Sequence, residues 1–311
     1  MNEDPLRSVT VVIANWRAPD HTIRSARAVI ADGVPPERVA LVDSGSQDDS
    51  AGRFERELPD SVVVRLEQNL GYATAANAGA AALEGTSYLI LNNDAFVHRP
   101  GSVRRMIEAM SEERVGLVVP RLLNPDLTLQ TTVRPIDTPS VALARASGLS
   151  RFIPNRHQPN WSTHWDHAES REIRAADGAV LLVRREAWDE LGGFSPRTGM
   201  YGEDTDICWR TRRHGWKVWF EGGAEFVHLG NASGGRRWSD PERAERWSRS
   251  EARLLRDQLP PVQATASILF TAAGLAGRAA VFGLGRQRAR AADARAQLRG
   301  YLSALSPGSP R

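Results

Sequence analysis

Glu203, Asp204 and Asp206 place three carboxylates within four residues, directly ahead of the apolar-periodic run Ile207-Cys208-Trp209. Arg210, Arg212 and Arg213 follow, and Gly215 supplies a left-handed stop. The pattern predicts a helix mouth, where free backbone N–H groups and the helix dipole favour negative charge. A charged cap accounts for such a cluster taken alone. Carboxylates at a helix entrance beside the Gly192-Gly193-Phe194 turn and Gly202 also suit a general base or a cation site. The rest of the chain decides between the two.

Three further polar clusters each come straight after an apolar run: Asp43-Ser44-Gly45-Ser46, Asn69-Leu70-Gly71-Tyr72 and Asn92-Asn93-Asp94. Asp, Ser, Asn and Gly are also what ordinary turns and caps use. As chemistry, Asp43 can accept from the N–H of a base, with Gly45 allowing close approach. Asn69, Gly71 and Asn77 can line a sugar-nucleotide pocket. Asp94 can act as a hard oxygen ligand for Mg²⁺ or Mn²⁺ bridging two phosphates.

The elements that must position these residues alternate. Strands are expected at Ser8–Asn15, Val39–Val42, Val62–Leu66 and Tyr88–Leu91. Helices are expected at Asp20–Ala31 with Asp20 as N-cap, Asp48–Leu58 and Thr74–Leu83. This order predicts an α/β fold with a doubly wound, mostly parallel sheet flanked by helices. Ligands bind such sheets beyond the carboxyl ends of the strands, where all three clusters would gather.

The chain has 311 residues, 41% of them hydrophobic, enough for a substantial core, and a net charge of +3. From Pro241 onward there are twelve arginines against five acids, a net +7, leaving about −4 for residues 1–240. An acidic body with a basic contact surface for phosphate or anionic lipid is expected, without a nucleic-acid partner. The one cysteine, Cys208, excludes an internal disulfide framework and a Cys-based zinc site. Together with the polar, acidic start at Met1–Pro5, it predicts a cytoplasmic protein. No serine or cysteine stands in a context suited to nucleophilic catalysis.

The combined motifs resemble the glycosyltransferase family 2 proteins of GT-A fold, in particular the bacterial rhamnosyltransferase-like branch. The resemblance runs from about Ser8 to Ser233. It is carried by Val12-Ile13-Ala14-Asn15-Trp16, Val42-Asp43-Ser44-Gly45-Ser46, Asn69-Leu70-Gly71-Tyr72 with Asn77, and Leu91-Asn92-Asn93-Asp94. It continues through Gly178-Ala179 with Arg184-Arg185-Glu186, Gly192-Gly193-Phe194, Glu203-Asp204-Thr205-Asp206-Ile207-Cys208-Trp209-Arg210, Gly215-Trp216-Lys217-Val218 and His228. The resemblance implies an inverting, metal-dependent transferase moving a sugar from a dTDP- or UDP-sugar, with rhamnose as first candidate. The acceptor would be a saccharide, a polyprenyl-linked saccharide for cell-wall or surface polysaccharide, or a small molecule.

By the same resemblance Asp43 would recognise the pyrimidine and Asn92 the ribose. Asn15, Gly45, Asn69, Gly71, Asn77 and Asn93 complete the nucleotide-sugar set. Asp94 and His228 would hold the divalent metal, Asp204 would be the general base with Glu203 beside it, and Asp177, Gly178 and Trp209 would face the acceptor. Arg17, Ser44, Asn92 and Ser195-Pro196 depart from the family pattern and bear on donor identity and metal affinity. A sugar-nucleotide pyrophosphorylase shares the sheet type but calls for a Gly-rich phosphate loop where this chain reads Asn15-Trp16-Arg17-Ala18-Pro19. A catalytically silent carbohydrate-binding relative is the third reading, against which Asp94, Asp204 and His228 all stand intact.

The expected division is a catalytic domain at 1–240, its nucleotide-sugar half at about 1–120 and acceptor half at about 121–240, then an Arg-rich helical extension at 241–311. The stretch 146–172, with Trp161, His164, Trp165 and His167, is expected as an acceptor-side loop. A metal role for His157, His164 and His167 is the weaker alternative. Residues 262–284 are small and apolar but carry Arg278, which predicts a helix lying on an anionic membrane surface rather than spanning it. A dimer contact or packing on the catalytic domain fits the same composition.

Overall fold

The computed structural model of this protein describes residues 4–134, 138–149, 165–196, 202–230 and 240–305. The chain begins β1 (Val9–Asn15), α1 (Pro19–Ala31), β2 (Val39–Ser44), α2 (Ser50–Glu57), β3 (Val62–Leu66), α3 (Tyr72–Ala82) and β4 (Ser87–Asn92). It continues β5 (Ala95–Val97), α4 (Ser102–Ala109), β6 (Val115–Leu123), β7 (Leu129–Gln130), β8 (Val133–Arg134) and α5 (Pro139–Ala146). Then come β9 (Arg171–Ile173), β10 (Ala175–Ala176), β11 (Val180–Arg184), α6 (Arg185–Leu191), α7 (Glu203–Arg213) and β12 (Lys217–His228). Three helices close the chain: α8 (Asp240–Gln258), α9 (Pro261–Leu284) and α10 (Arg288–Ser303).

Two compact units result, one of Met1–Val133 with Asp166–Ser233, the other of Arg134–Trp165 with Gly234–Arg311. This grouping differs from a linear division at residue 240 in placing residues 134–165 with the C-terminal helices. The helix α5 packs on α9 so closely that a Cβ on Gly274 would lie 2.9 Å from Ala146 Cα. A segment from mid-chain thus belongs with the C-terminal helices.

In the first unit the sheet runs β3-β2-β1-β4-β11-β6-β12-β5, with β7 beside β6 and β9 beside β12. β1 is parallel to β2 and β4, and β2 to β3, as the alternation predicted. β1 and β2 read as β-branched apolar runs because both their faces are covered. Ile13, Leu41, Leu89 and Leu91 join Ile23, Val29 and Phe54 in one core. On α3, a Cβ at Gly79 would lie 2.3 Å from Val12 Cγ1 and 2.8 Å from Val42 Cγ2, so only glycine lets the helix settle on the strands.

One feature departs from the expected winding. β11 runs antiparallel between β4 and β6, so its beginning, not its end, lies at the carboxyl edge of β4. The entry of α1 also differs: Ala18 is the N-cap, Pro19 opens the helix, and Asp20 sits in the first turn without capping it.

Candidate active site

The carboxyl ends of the central strands align in register, Asn15 beside Asp43 and Ala14 beside Asn92. β1 has β2 on one side and β4 on the other, which makes this edge the switch point where a crevice opens. Asn15 is fully buried. Its Nδ2 donates to Asp43 Oδ1 at 3.0 Å and Ser46 Oγ at 3.2 Å, while its Oδ1 accepts from Thr22 Oγ1 at 2.9 Å and Ala18 N at 3.3 Å. Both amide hydrogens and both acceptor directions are used. The Asn15 side chain thus positions Asp43, its amide spent on protein partners.

Asp43 also accepts from the Ser46 hydroxyl, and from Ser46 N at 3.3 Å. Gly45 takes φ +63°, and a Cβ there would meet Gln68 Cα at 2.6 Å, which brings the β2 and β3 loops together. Arg17, left-handed at φ 53°, donates through Nε to Ser46 O at 3.0 Å and lies over the Trp16 ring.

At the entry to α3, Asn69 Oδ1 accepts from Gly71 N at 3.0 Å and Gly71 turns the chain at φ 102°. Asn77 lies further along α3. Its Oδ1 accepts from Phe194 N at 2.9 Å and its Nδ2 donates to Phe194 O at 2.9 Å. Asn77 is a clamp on the Phe194 backbone. Phe194 in turn sits edge-on to Tyr72, ring centroids 6.1 Å apart.

The Tyr72 hydroxyl is buried with no hydrogen-bond partner among the described residues. Burial first, then the charges of Glu203, Asp204 and Asp94, push it well above the usual phenol value. One hydroxyl thus feels both the carboxylate after β4 and the pair at the mouth of α7.

The reversed direction of β11 explains how α7 arrives there. Asn92 N donates to Ala179 O at 2.8 Å, and the next residue, Gly178, donates its N–H to Asp204 Oδ2 at 2.8 Å. A Cβ on Gly178 would stand 2.6 Å from Asp204 Cβ, so glycine is required for the approach. Asp204 Oδ1 accepts from Thr205 N at 2.7 Å. Two fixed backbone donors, one on each oxygen, hold the carboxylate in place. Glu203 and Asp204 are the first two residues of α7, after Gly202 at φ 93°.

Asp206 has a different task. It is buried and bridges Arg210 at 2.7 Å, while Arg210 donates to Leu191 O at 3.0 Å and Gly193 O at 2.9 Å, tying α7 to the Gly-Gly-Phe turn. Asp177 is half-buried, its N–H on Thr132 O at 2.9 Å, and Trp209 is half-buried beneath Arg213 at 4.9 Å. Burial, followed by Asp204, Asp177 and Asp206, pushes the Cys208 thiol up to about 12. The native protein is therefore expected to show no reaction with Ellman's reagent at pH 8 and one thiol per chain after unfolding in guanidinium. Prompt native reaction would mean that α7 opens readily.

At the far end of β12, His228 pairs in register with Ala95 of β5, and Leu229 N donates to Asp94 O at 3.0 Å. His228 Nε2 lies 3.3 Å from Asp94 Oδ1. Gln130 Nε2 donates to Asn124 Oδ1 at 3.1 Å, which leaves its Oε1 to accept from His228 Nδ1 at 2.8 Å. With the proton on Nδ1, the Nε2 lone pair faces a carboxylate oxygen, an arrangement that favours a cation between them. Beside it the Asn93 Nδ2 is buried without a partner among the described residues.

A divalent cation fits this pair. Among the described residues no group of three or more His, Cys, Asp or Glu could hold a metal alone, so the remaining ligands would be substrate phosphate and water, the usual pattern for Mg²⁺. Sequence reasoning did not find Gln130; it stands on a two-residue strand with no motif around it. His157, His164 and Trp161 lie outside the described residues. His167 is fully buried, edge-on to Phe220 at 5.3 Å.

The family profile described as Glycosyl transferase family 2 matches residues 10–192. The chain belongs to glycosyl transferase family 2. Over 216 residues, 65% of this chain and 69% of the relative, it is 29% identical to an N-acetylglucosaminyl-diphospho-decaprenol L-rhamnosyltransferase of Mycobacterium tuberculosis. Its fold is similar to that of the mannosyltransferase PcManGT from Pyrobaculum calidifontis, solved with GDP-Man and Mn²⁺, at TM-score 0.62 and 17% identity over 96% of this chain and 87% of that one. GalNAc-T7, solved with UDP, GalNAc and Mn²⁺, is similar at TM-score 0.54 and 18% identity over 83% and 52% of the two chains. This glycosyltransferase thus has the mixed sheet and helical layers of the GT-A fold.

Proposed function

We propose that this chain is an inverting, metal-dependent glycosyltransferase that moves a sugar, rhamnose first among the candidates, from a dTDP- or UDP-sugar to a lipid-linked saccharide. The observation that carries the reading is the common rim: Gly178 N–H fixes Asp204 directly beside the strand end that bears Asn92, Asn93 and Asp94. The rhamnosyltransferase relative and the Mn²⁺-bearing neighbours support the donor and cofactor classes.

In this mechanism the base lies toward Asp43, which Asn15 and Ser46 hold in place. Asp94 and His228 would hold a Mg²⁺ or Mn²⁺ ion, which when bound supplies positive charge for the departing diphosphate. Asn93 Nδ2 is a free donor toward the same group. Asp204 accepts the proton of the acceptor hydroxyl as its oxygen bonds to the anomeric carbon. The bond from that carbon to the donor phosphate breaks in the same displacement, and its electron pair leaves on the nucleoside diphosphate. No covalent sugar–protein species forms, and the anomeric configuration inverts. Glu203 stands beside the base, where it orients the acceptor.

The test is turnover of dTDP-rhamnose against a panel of UDP-sugars with Mn²⁺ and an N-acetylglucosaminyl-diphospho-polyprenol acceptor. Nucleoside diphosphate release and the one-bond carbon–hydrogen coupling at the new anomeric centre are the readouts. An inverted product and loss of release in EDTA are expected. A retained configuration, or release untouched by EDTA, overturns the mechanism.

A further inference from the structure

The second unit presents an apolar surface that its own helices do not cover. α9 carries 24 residues, about 36 Å of helix, and an 18-residue window of mean hydropathy 1.5, long and apolar enough by composition to cross a membrane. One face is already occupied. Ile268 and Leu275 pack with Ala252 and Leu255 of α8 and with Tyr301 and Ala304 at the end of α10.

The opposite face is not. Leu269, Ala273, Ala276, Ala280 and Leu284 recur at three- and four-residue intervals, with Val262 seven residues before Leu269 on the same side, so the six form one stripe, and all six are exposed. Val262 is 82% and Leu284 88% exposed, values that solvent-facing leucine and valine seldom share with so many apolar neighbours in a row. Arg278, the one charge on α9, falls roughly 160° from the centre of the stripe at about 100° per residue. Directly beyond the stripe come Arg286, Arg288 and Arg290, all exposed.

Charge selects the occupant. α9 contains no acid, so pairing two copies through this stripe, parallel or antiparallel, brings the arginines of each to no carboxylate on the facing helix. A layer of lipid phosphates supplies a partner for every one. Spanning is disfavoured for a different reason. Insertion would strip Ile268 and Leu275 from α8 and α10, or drag Arg249, Arg253, Arg256 and Arg299 into hydrocarbon.

We infer that α9 lies in the plane of an anionic membrane, its Val262–Leu284 stripe at the level of the acyl chains and Arg286, Arg288 and Arg290 on lipid phosphate. This inference concerns the second unit alone and does not depend on which donor or acceptor the enzyme uses.

The test is co-sedimentation of the full chain with vesicles of phosphatidylcholine alone and with phosphatidylglycerol added. Binding is expected only with the anionic lipid, weakened by salt. Arg286→Glu/Arg288→Glu is expected to lower partitioning roughly tenfold or more. Leu269→Glu/Leu284→Glu should abolish it. Both variants should keep wild-type melting and wild-type hydrolysis of a soluble sugar nucleotide, which separates lost binding from lost folding. Equal binding to neutral vesicles, retention of cell-expressed protein through alkaline carbonate washing, or a vesicle-indifferent dimer that Leu269→Glu/Leu284→Glu dissociates each overturns the inference.

Discussion

Asp204→Asn is expected to lower kcat by roughly 10²- to 10⁴-fold while leaving donor affinity close to wild type. The carboxylate is bound by Gly178 N and Thr205 N, at 2.8 and 2.7 Å, through its two separate oxygens. An amide can accept only one of these and presents NH₂ to the other, so about 1–3 kcal/mol of stability is lost as well. The two effects part cleanly, because thermal melting reports the lost backbone bond and single-turnover kinetics report the lost base. Glu203→Gln serves as the comparison, sharing the helix entrance but not the Gly178 contact, and a smaller loss is expected from it. If Asp204→Asn turns over at the wild-type rate under saturating acceptor, proton removal belongs to another group and the assignment falls. A collapse in donor affinity with unchanged single-turnover rate would count against it equally.

What the sequence disclosed follows from the range of the forces involved. β1, β2 and β4 were legible because strands covered on both faces are written as apolar runs, and the polar residues after each mark where cover ends. The start of α7 was legible for the same local reason, three acids where free N–H groups collect. The reversal of β11 was not, since strand direction depends on pairing with β4 some ninety residues earlier. Yet that reversal is what delivers Gly178, and through it Asp204, to the edge that bears Asp94.

Asn15 and Asn77 show the limit most clearly. Each sits in a motif that invites a ligand, and each spends its amide on protein: Asn15 on Asp43, Ser46 and Thr22, Asn77 on the backbone of a residue 117 positions away. An amide that holds a loop and one that holds a nucleotide look the same in a string of letters. Gln130 is the converse, a side chain in no motif that fixes the ring of His228. The mid-chain helix α5 likewise revealed nothing of its attachment to α9, because the glycine that permits the contact, Gly274, is one small residue among many.

Asp94→Asn is expected to remove Mn²⁺-dependent stabilisation by nucleoside diphosphate. Asp94 is 5% exposed and keeps Oδ1 toward His228 Nε2 at 3.3 Å, so the substitution preserves shape while withdrawing the charge that a cation needs. A ligand present at a hundredfold excess over its dissociation constant stabilises by about 2.7 kcal/mol. In the wild type that gain should appear as a rise in melting temperature with UDP or dTDP plus Mn²⁺, and vanish in EDTA. In Asp94→Asn the Mn²⁺ and EDTA traces should coincide. Gln130→Leu provides the graded case. It leaves both donors in place but frees the His228 ring, and losing such an orienting partner typically weakens metal binding roughly 10- to 100-fold. Its Mn²⁺ titration should therefore shift to higher concentration and still saturate at the wild-type plateau. Were Asp94→Asn to keep the full Mn²⁺-dependent shift, the carboxylate after β4 would be structural. The ion would then have to be held from another side of the rim, with Glu203, next to Asp204 at the mouth of α7, the first to replace.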